Sequence, residues 1–525
     1  MLGKGLRLSL QGEPSTVEGI RRANSILGRG EGVWRWTGRS TPQVRHGDLV
    51  FSASTVTEGL SEASGVELPG ESPSHLLRLT SGPVALLWDK SFLWGYLAVR
   101  SLRDLGFAFD VVSAEGVRRG ALSSYQLVVV PGGWASLKSE ALGRGGRDEL
   151  RRFVRHGGSY LGLCGGAGLA LRVDEGLGLL PVARKPLAER LPNCSGSIRV
   201  RRCGSHALWC GLPDEVSFQV WWPSQFEILE PGTVQVVGSY HEPEADFFVS
   251  DLNVAETRAA GIDWRLLERD YEINLDPRLL LGEPAVLEGR SGAGRVLLSY
   301  PHLETPGDAQ GNLALFNVWY DLLATAVPAR KKPAVESPPP AFDPASVSLL
   351  QRITAEAEEL VALGERLDLW TWRNPWLLQW RRGLRGAEFG TLCLLLQGLR
   401  AEAERCLGPG HNAPEISRTV QELERVWRSF KARAQALLEA EAVESSGGKK
   451  EGTEEVGGNV FALRMEIFNC VQCYGSKSYG GLYRPLLDGV DSLLFRSLQG
   501  GGRASRTNPA APSADDPCAS CRPVP

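Results

Sequence analysis

Apolar residues fall into two regimes along this chain. Between residues 82 and 326 short continuous apolar runs alternate with amphipathic stretches. Beyond residue 345 the apolar residues recur mainly at helical spacing. The runs at 84–88, 107–112, 127–130 and 158–163 predict strands buried on both faces. Segments 93–105 and 148–156 predict helices between them, the second setting Leu150, Phe153 and Val154 opposite an arginine face. Strands alternating with helices imply parallel βαβ units and a doubly wound α/β sheet covered on both sides. From 172 to 300 the pattern is less regular, with the best strands at 216–222, 233–238 and 295–300.

The rest divides by composition. Residues 1–80 are rich in Gly, Ser and Glu with few periodic apolar positions, and are expected to form a poorly defined extension. Residues 327–344 form a proline-rich, extended linker. In 345–442, Asp343 and Pro344 make a helix cap and first turn. Val347, Leu350, Ile353, Ala357, Leu360 and Val361 then form one helical stripe, and Ile416, Val420, Leu423, Trp427, Phe430, Ala434 and Leu437 a second. Trp370, Trp372, Trp376 and Trp380 cluster where a further helix is expected to start. Residues 443–458 read as a flexible linker, 459–500 as a short helical segment and 501–525 as a disordered tail.

Composition narrows the function classes. With 58 Lys+Arg against 61 Asp+Glu the net charge is −3, which argues against a mainly electrostatic nucleic-acid binder. No apolar run approaches the ~20 residues that span a bilayer, and the first residues lack the apolar core of a signal peptide. Ten cysteines scattered over 525 residues suggest free thiols in a reducing compartment, so a cytoplasmic location without membrane partners is expected. Cys194, Cys203 and Cys210, with His206 between, lack the close ligand pair of a zinc site. The CxxC pairs at Cys470 and Cys473 and at Cys518 and Cys521 are far apart, and no metal or other cofactor is expected.

The chemistry is concentrated at Gly162, Leu163, Cys164, Gly165 and Gly166. These follow an apolar strand and open a small-residue segment, the pattern of a strand–turn–helix nucleophile elbow with a thiol nucleophile. The glycines suit a strained, crowded turn, and a helix N-terminus favours a thiolate. The N–H of Gly165 would face a developing oxyanion, with Gly132 or Gly133 as second donor. A thiol needs a base. His302 and Glu304, two apart beyond a late strand, would face one way, Glu304 orienting the imidazole. The plain alternatives are a tight turn with a buried thiol and an incidental His-x-Glu. Asp89, Lys90, Trp94, Trp221, Trp222, His241 and Glu242 are further candidates for the pocket.

Val129–Trp134, Gly157–Ala170 and Gly294–Glu304 together resemble the class I glutamine amidotransferase-like superfamily, closest to the biotin-protein ligase N-terminal domain family. The resemblance spans 82–325. It implies a flavodoxin-like fold, a Cys164–His302–Glu304 triad, and hydrolase or transferase chemistry on a small-molecule amide of glutamine type through a thioester. It also implies a partner protein to accept ammonia, because no synthase-like region lies elsewhere in the chain. The ligase signature is absent downstream, and Gly165 stands where the peptidase-like branch carries His. The alternative is a non-catalytic binding or scaffold protein that retains the fold and works through its helical region.

Overall fold

The computed structural model describes residues 5–8, 15–52, 64–66, 75–330, 341–379, 381, 383–408, 413–445, 454–469 and 480–499. Two compact units divide the chain near residue 335.

The first unit opens with β1 (Gly5–Leu8), α1 (Ser15–Gly28), β2 (Val33–Trp36), β3 (Leu49–Ser52), β4 (Ser64–Val66) and β5 (Leu76–Arg78). These strands form a five-stranded antiparallel sheet in the order β4-β1-β3-β2-β5. The expected poorly defined extension is therefore corrected over its described residues. Its strands are too short and too mixed in polarity, as in Val33, Trp34, Arg35 and Trp36, to stand out as a period. Asn24 of α1 donates to the Leu105 carbonyl at 2.7 Å and ties this layer to the α/β body.

That body begins with β6 (Val84–Leu87), α2 (Phe92–Asp104), β7 (Asp110–Val112), α3 (Ala114–Arg118), β8 (Leu127–Val130), α4 (Ala135–Arg155), β9 (Ser159–Leu163) and α5 (Gly165–Leu169). It continues through β10 (Val182–Arg184), β11 (Cys194–Arg202), β12 (Glu215–Trp221), β13 (Phe226–Ile228), β14 (Val234–Pro243), β15 (Phe248–Val249), β16 (Leu252–Asn253), α6 (Val254–Ala259) and α7 (Trp264–Tyr271). The hairpin β17 (Pro284–Ser291) and β18 (Gly294–Ser299) and then α8 (Ala309–Thr325) complete it.

Five strands run parallel in the order β7-β6-β8-β9-β18. Numbered among themselves this is 2-1-3-4-5, the flavodoxin-like doubly wound order. Every residue of β6, β8 and β9 is buried, which is why their sequences are continuous apolar runs. The expected doubly wound parallel sheet is present, and further strands extend it. Beyond β18 the sheet turns antiparallel through β17, β14, β11, β15 and β16, with β12 on β11, giving eleven strands in all.

The second unit carries α9 (Pro344–Arg366), the hairpin β19 (Trp372–Asn374) and β20 (Leu377–Leu378), α10 (Gly386–Arg405), α11 (Ala413–Ser445), α12 (Glu454–Phe468) and α13 (Tyr483–Leu498). Asp343 caps α9 by accepting from Ser346 N at 2.7 Å, and both expected apolar stripes are buried between helices. Three boundaries are corrected. The tryptophan cluster lies around the hairpin, where Trp370 is buried and donates to the Val361 carbonyl at 3.0 Å. Helix α11 extends to Ser445 and α12 starts at Glu454, so both enter the expected linker, and 459–500 holds the end of α12 and all of α13. Trp380, residues 331–340, both CxxC pairs and the 501–525 tail lie outside the described residues. Among the described residues no helix is long and apolar enough to cross a membrane.

Candidate active site

The carboxyl ends of β6, β8, β9 and β18 lie at one end of the sheet, the end at which doubly wound sheets bind ligands in a crevice. Cys164 follows β9 directly and adopts φ 49°, ψ −105°, a conformation L-residues avoid. The turn leaves no room for side chains. A Cβ on Gly165 would overlap the Gly133 carbonyl, one on Gly166 the Val130 carbonyl, and one on Gly162 would lie 2.7 Å from the Gly166 oxygen. The backbone of Cys164 is pinned to the neighbouring strand, its N–H donating to Ser299 O at 2.7 Å.

That pairing also delivers the histidine. β18 runs beside β9 with Ser299 opposite Leu163, so the chain leaving β18 passes the elbow within three residues. His302 N then donates to Gln219 O of β12 at 2.8 Å, which fixes the loop. His302 Nδ1 lies 2.8 Å from Glu304 Oε1. The carboxylate accepts, so Nδ1 carries a proton and Nε2 is the nitrogen turned away from Glu304. Cys164, His302 and Glu304 are 8%, 1% and 2% exposed. Burial disfavours a charged imidazole, but Glu304 and then Cys164 outweigh it and push His302 up to about 10. Nε2 closes no hydrogen bond of ordinary geometry, and the Cys164 thiol donates instead to the Trp221 carbonyl at 3.5 Å.

The remaining candidates sort by position. Gly132 backs the imidazole, since its Cβ would sit 2.8 Å from His302 Cε1. Gly133, at φ 102°, touches the Lys90 carbonyl below it and Gly165 above it. Among the described residues, the N–H groups of Gly133 and Gly165 have no acceptor in the surrounding loops. Trp94 packs at a tilt against His302, with ring centroids 4.7 Å apart, and against Trp221 at 5.3 Å. Trp134 and Trp222 stack at 6.4 Å. Asp89 is turned to α3, accepting from Ala114 N at 2.6 Å. His241 and Glu242 pair with Arg201 and Arg199 on the antiparallel wing and do not join the crevice.

Two residues with no sequence signal belong here. Arg184 lies against α5, its Nη2 3.4 Å from where a Gly168 Cβ would stand. Arg190 is its like-charged neighbour: burial and then Arg184 lower its pKa. Both act on Tyr300, as does Cys164, and neither pairs with a carboxylate among the described residues.

Elsewhere, His206, Glu288 and Asp321 gather with their ligand atoms within 4.8 Å of one another, a set that could hold a metal ion. Leu208 N donates to His206 Nδ1, so Nε2 carries its proton toward Glu288. Arg295 already pairs with Glu288 and Asp321.

The architecture is an α/β fold with the flavodoxin-like strand order. Residues 98–173 match the family model described as biotin-protein ligase, N terminal, a stretch that includes the elbow but not His302 or Glu304. No curated protein matches the chain. Among solved structures it is similar to a candidate GMP synthase component from Thermoplasma acidophilum, with 15% identity over 46% of this chain and 97% of that one, at a TM-score of 0.29. It is similar to a glutamine amidotransferase from Thermotoga maritima, with 14% identity over 46% and 84% at 0.26. It is also similar to a β-galactosidase from Rahnella sp. R3, with 14% identity over 47% of this chain at 0.28, covering 32% of that protein.

Proposed function

We propose that the crevice is a cysteine-dependent amidase or amidotransferase site for a small carboxamide of glutamine type. The observation that carries this reading is the buried His302–Glu304 bond, which leaves Nε2 turned away from Glu304, beside the sulfur of a strained elbow. In the proposed cycle the Cys164 thiol gives its proton to His302 Nε2, its sulfur attacks the amide carbon, and the N–H groups of Gly165 and Gly133 receive the oxyanion. His302 gives its proton to the departing nitrogen, the C–N bond breaks, and ammonia leaves a thioester. Water, losing a proton to His302, then attacks the thioester carbon, the C–S bond breaks, and the sulfur takes that proton back as the acid leaves. Glu304 keeps the imidazole oriented throughout. Arg184 and Arg190, without carboxylate partners among the described residues, suit an acidic group on the substrate. Ammonia would pass to water or to a partner protein.

The second reading is a non-catalytic protein that retains the fold. It is favoured by one observation: the thiol is turned to the Trp221 carbonyl, not to His302. Ammonia release from a panel of carboxamides, L-glutamine first, separates the two. Release by the wild type that is lost in Cys164→Ala supports the enzyme. Equal release by both proteins, or by neither, supports the alternative.

A further inference from the structure

A second cysteine–histidine pair lies outside the crevice, between the N-terminal sheet and the α/β body. Cys210 follows the short turn Ala207–Trp209, and His46 lies in the loop between β2 and β3. The loops meet backbone to backbone. A Cβ on Gly47, at φ 96°, would stand 2.8 Å from both Cα and N of Gly211, itself at φ 78°. Only two glycines allow this approach, and it sets Cys210 Sγ 3.6 Å from His46 Nε2. His46 Nδ1 lies 3.2 Å from the Gly38 carbonyl. A carbonyl only accepts, so Nδ1 carries a proton and Nε2 faces the sulfur as its base.

The third member comes from beneath. Arg35 of β2 is 2% exposed, its guanidinium over the Phe316 ring at 5.4 Å. Its Nε and Nη2 close no hydrogen bond. A charge buried in this way needs an anion, and Cys210 offsets its burial most, ahead of Asp321. Burial alone would raise the Cys210 thiol, but His46 and Arg35 together hold it below the ordinary value. Cys194 and Cys393, buried without such partners, are shifted upward.

We propose that Cys210, with His46 and Arg35, is a peroxide-sensitive modification site that forms a stabilised sulfenic acid. The thiolate sulfur attacks one oxygen of a hydroperoxide. An S–O bond forms, the O–O bond breaks, and the leaving oxyanion takes a proton from the His46 imidazolium. Sulfur loses two electrons and the peroxide gains them. The open Nε and Nη2 of Arg35 then supply the donors that the added oxygen requires. Cys210 is 7% exposed while His46 lies at the surface, so a swing of His46 opens the path.

The test uses the full chain carrying Cys164→Ala, treated with dilute hydrogen peroxide and a 1,3-dione that traps sulfenic acids. Labelling at each cysteine is read by peptide mass spectrometry. Cys210 should label about tenfold or more faster than Cys194 and Cys393, and His46→Gln should slow it by about tenfold. Labelling at Cys210 no faster than at Cys194, or unchanged in His46→Gln, would overturn the proposal. His46 is exposed, so that variant is expected to fold.

Discussion

Gly165 stands directly against the Gly133 carbonyl, so two separate turns share space that admits no side chain at 165. Gly165→Ala must therefore push the elbow off the end of β8. The expected cost is at least about 2 kcal/mol of stability, with loss of any Cys164-dependent turnover even in the folded fraction. Denaturant unfolding and a turnover assay on the refolded variant check both. An unchanged midpoint would show that the turn is looser than this packing requires.

His302 carries a pH signature. Its pKa is raised from 6.5 to about 10, so the folded chain keeps a proton that the unfolded chain loses. The stability it contributes is complete below about 6.5 and is lost as pH rises through about 10. Glu304 is the main raising influence, so Glu304→Gln should move the imidazole titration toward neutrality. With seven histidines in the chain, selective imidazole labelling and NMR can follow this one ring. An identical titration in variant and wild type would remove Glu304 from the role of partner.

Arg184 offers a test of what the crevice binds. If it receives an acidic group on the substrate, Arg184→Gln should raise KM about tenfold or more and leave kcat within a few-fold, because the contact is the same in ground and transition states. Steady-state kinetics on a carboxamide with and without a carboxylate separates the cases. Equal effects on both substrates would point to a purely structural role.

In the helical unit Glu441 is nearly enclosed beside Arg464, 2.8 Å away. Burial raises its carboxyl to about 7 against the pull of that arginine. Between about 4.5 and 7 the folded state holds a proton that the unfolded state has released, so stability falls as pH rises through that window. Glu441→Gln should flatten this slope, its melting temperature gaining on wild type from pH 5 to pH 8. Calorimetry at the two pH values decides it, and a constant gap would refute the linkage.

The parts legible in the sequence are those where burial is complete. β8 and the apolar end of β9 are unbroken runs because both faces of the parallel sheet are covered. The crowding at Gly162 and Gly166 is readable because only glycine fits such a turn. Two strands of the antiparallel wing, at 216–222 and 233–238, are legible, but β11 is not, because it opens on Cys194, Ser195, Gly196 and Ser197, which carry no apolar period. Arg184 and Arg190 carry no spacing signal, and their meaning arises only from having no carboxylate partner among the described residues. His46 and Cys210 lie 164 residues apart, joined by two glycines that look like any others. The tryptophans near residue 372 mislead because a short hairpin and a helix start share the same residue types.

The hairpin between β17 and β18 has a two-residue turn, Gly292 and Ala293, with Gly292 at φ 60° and Ser291 opposite Gly294. That tight reversal acts as a setting pin for everything downstream. One inserted residue there would slide β18 by a single step along β9 and rotate its side chains to the opposite face. The loop bearing His302 would then leave the strand on the wrong side of the sheet. Length variation among natural cousins of this chain should thus be tolerated at many surface bends and be missing at this one.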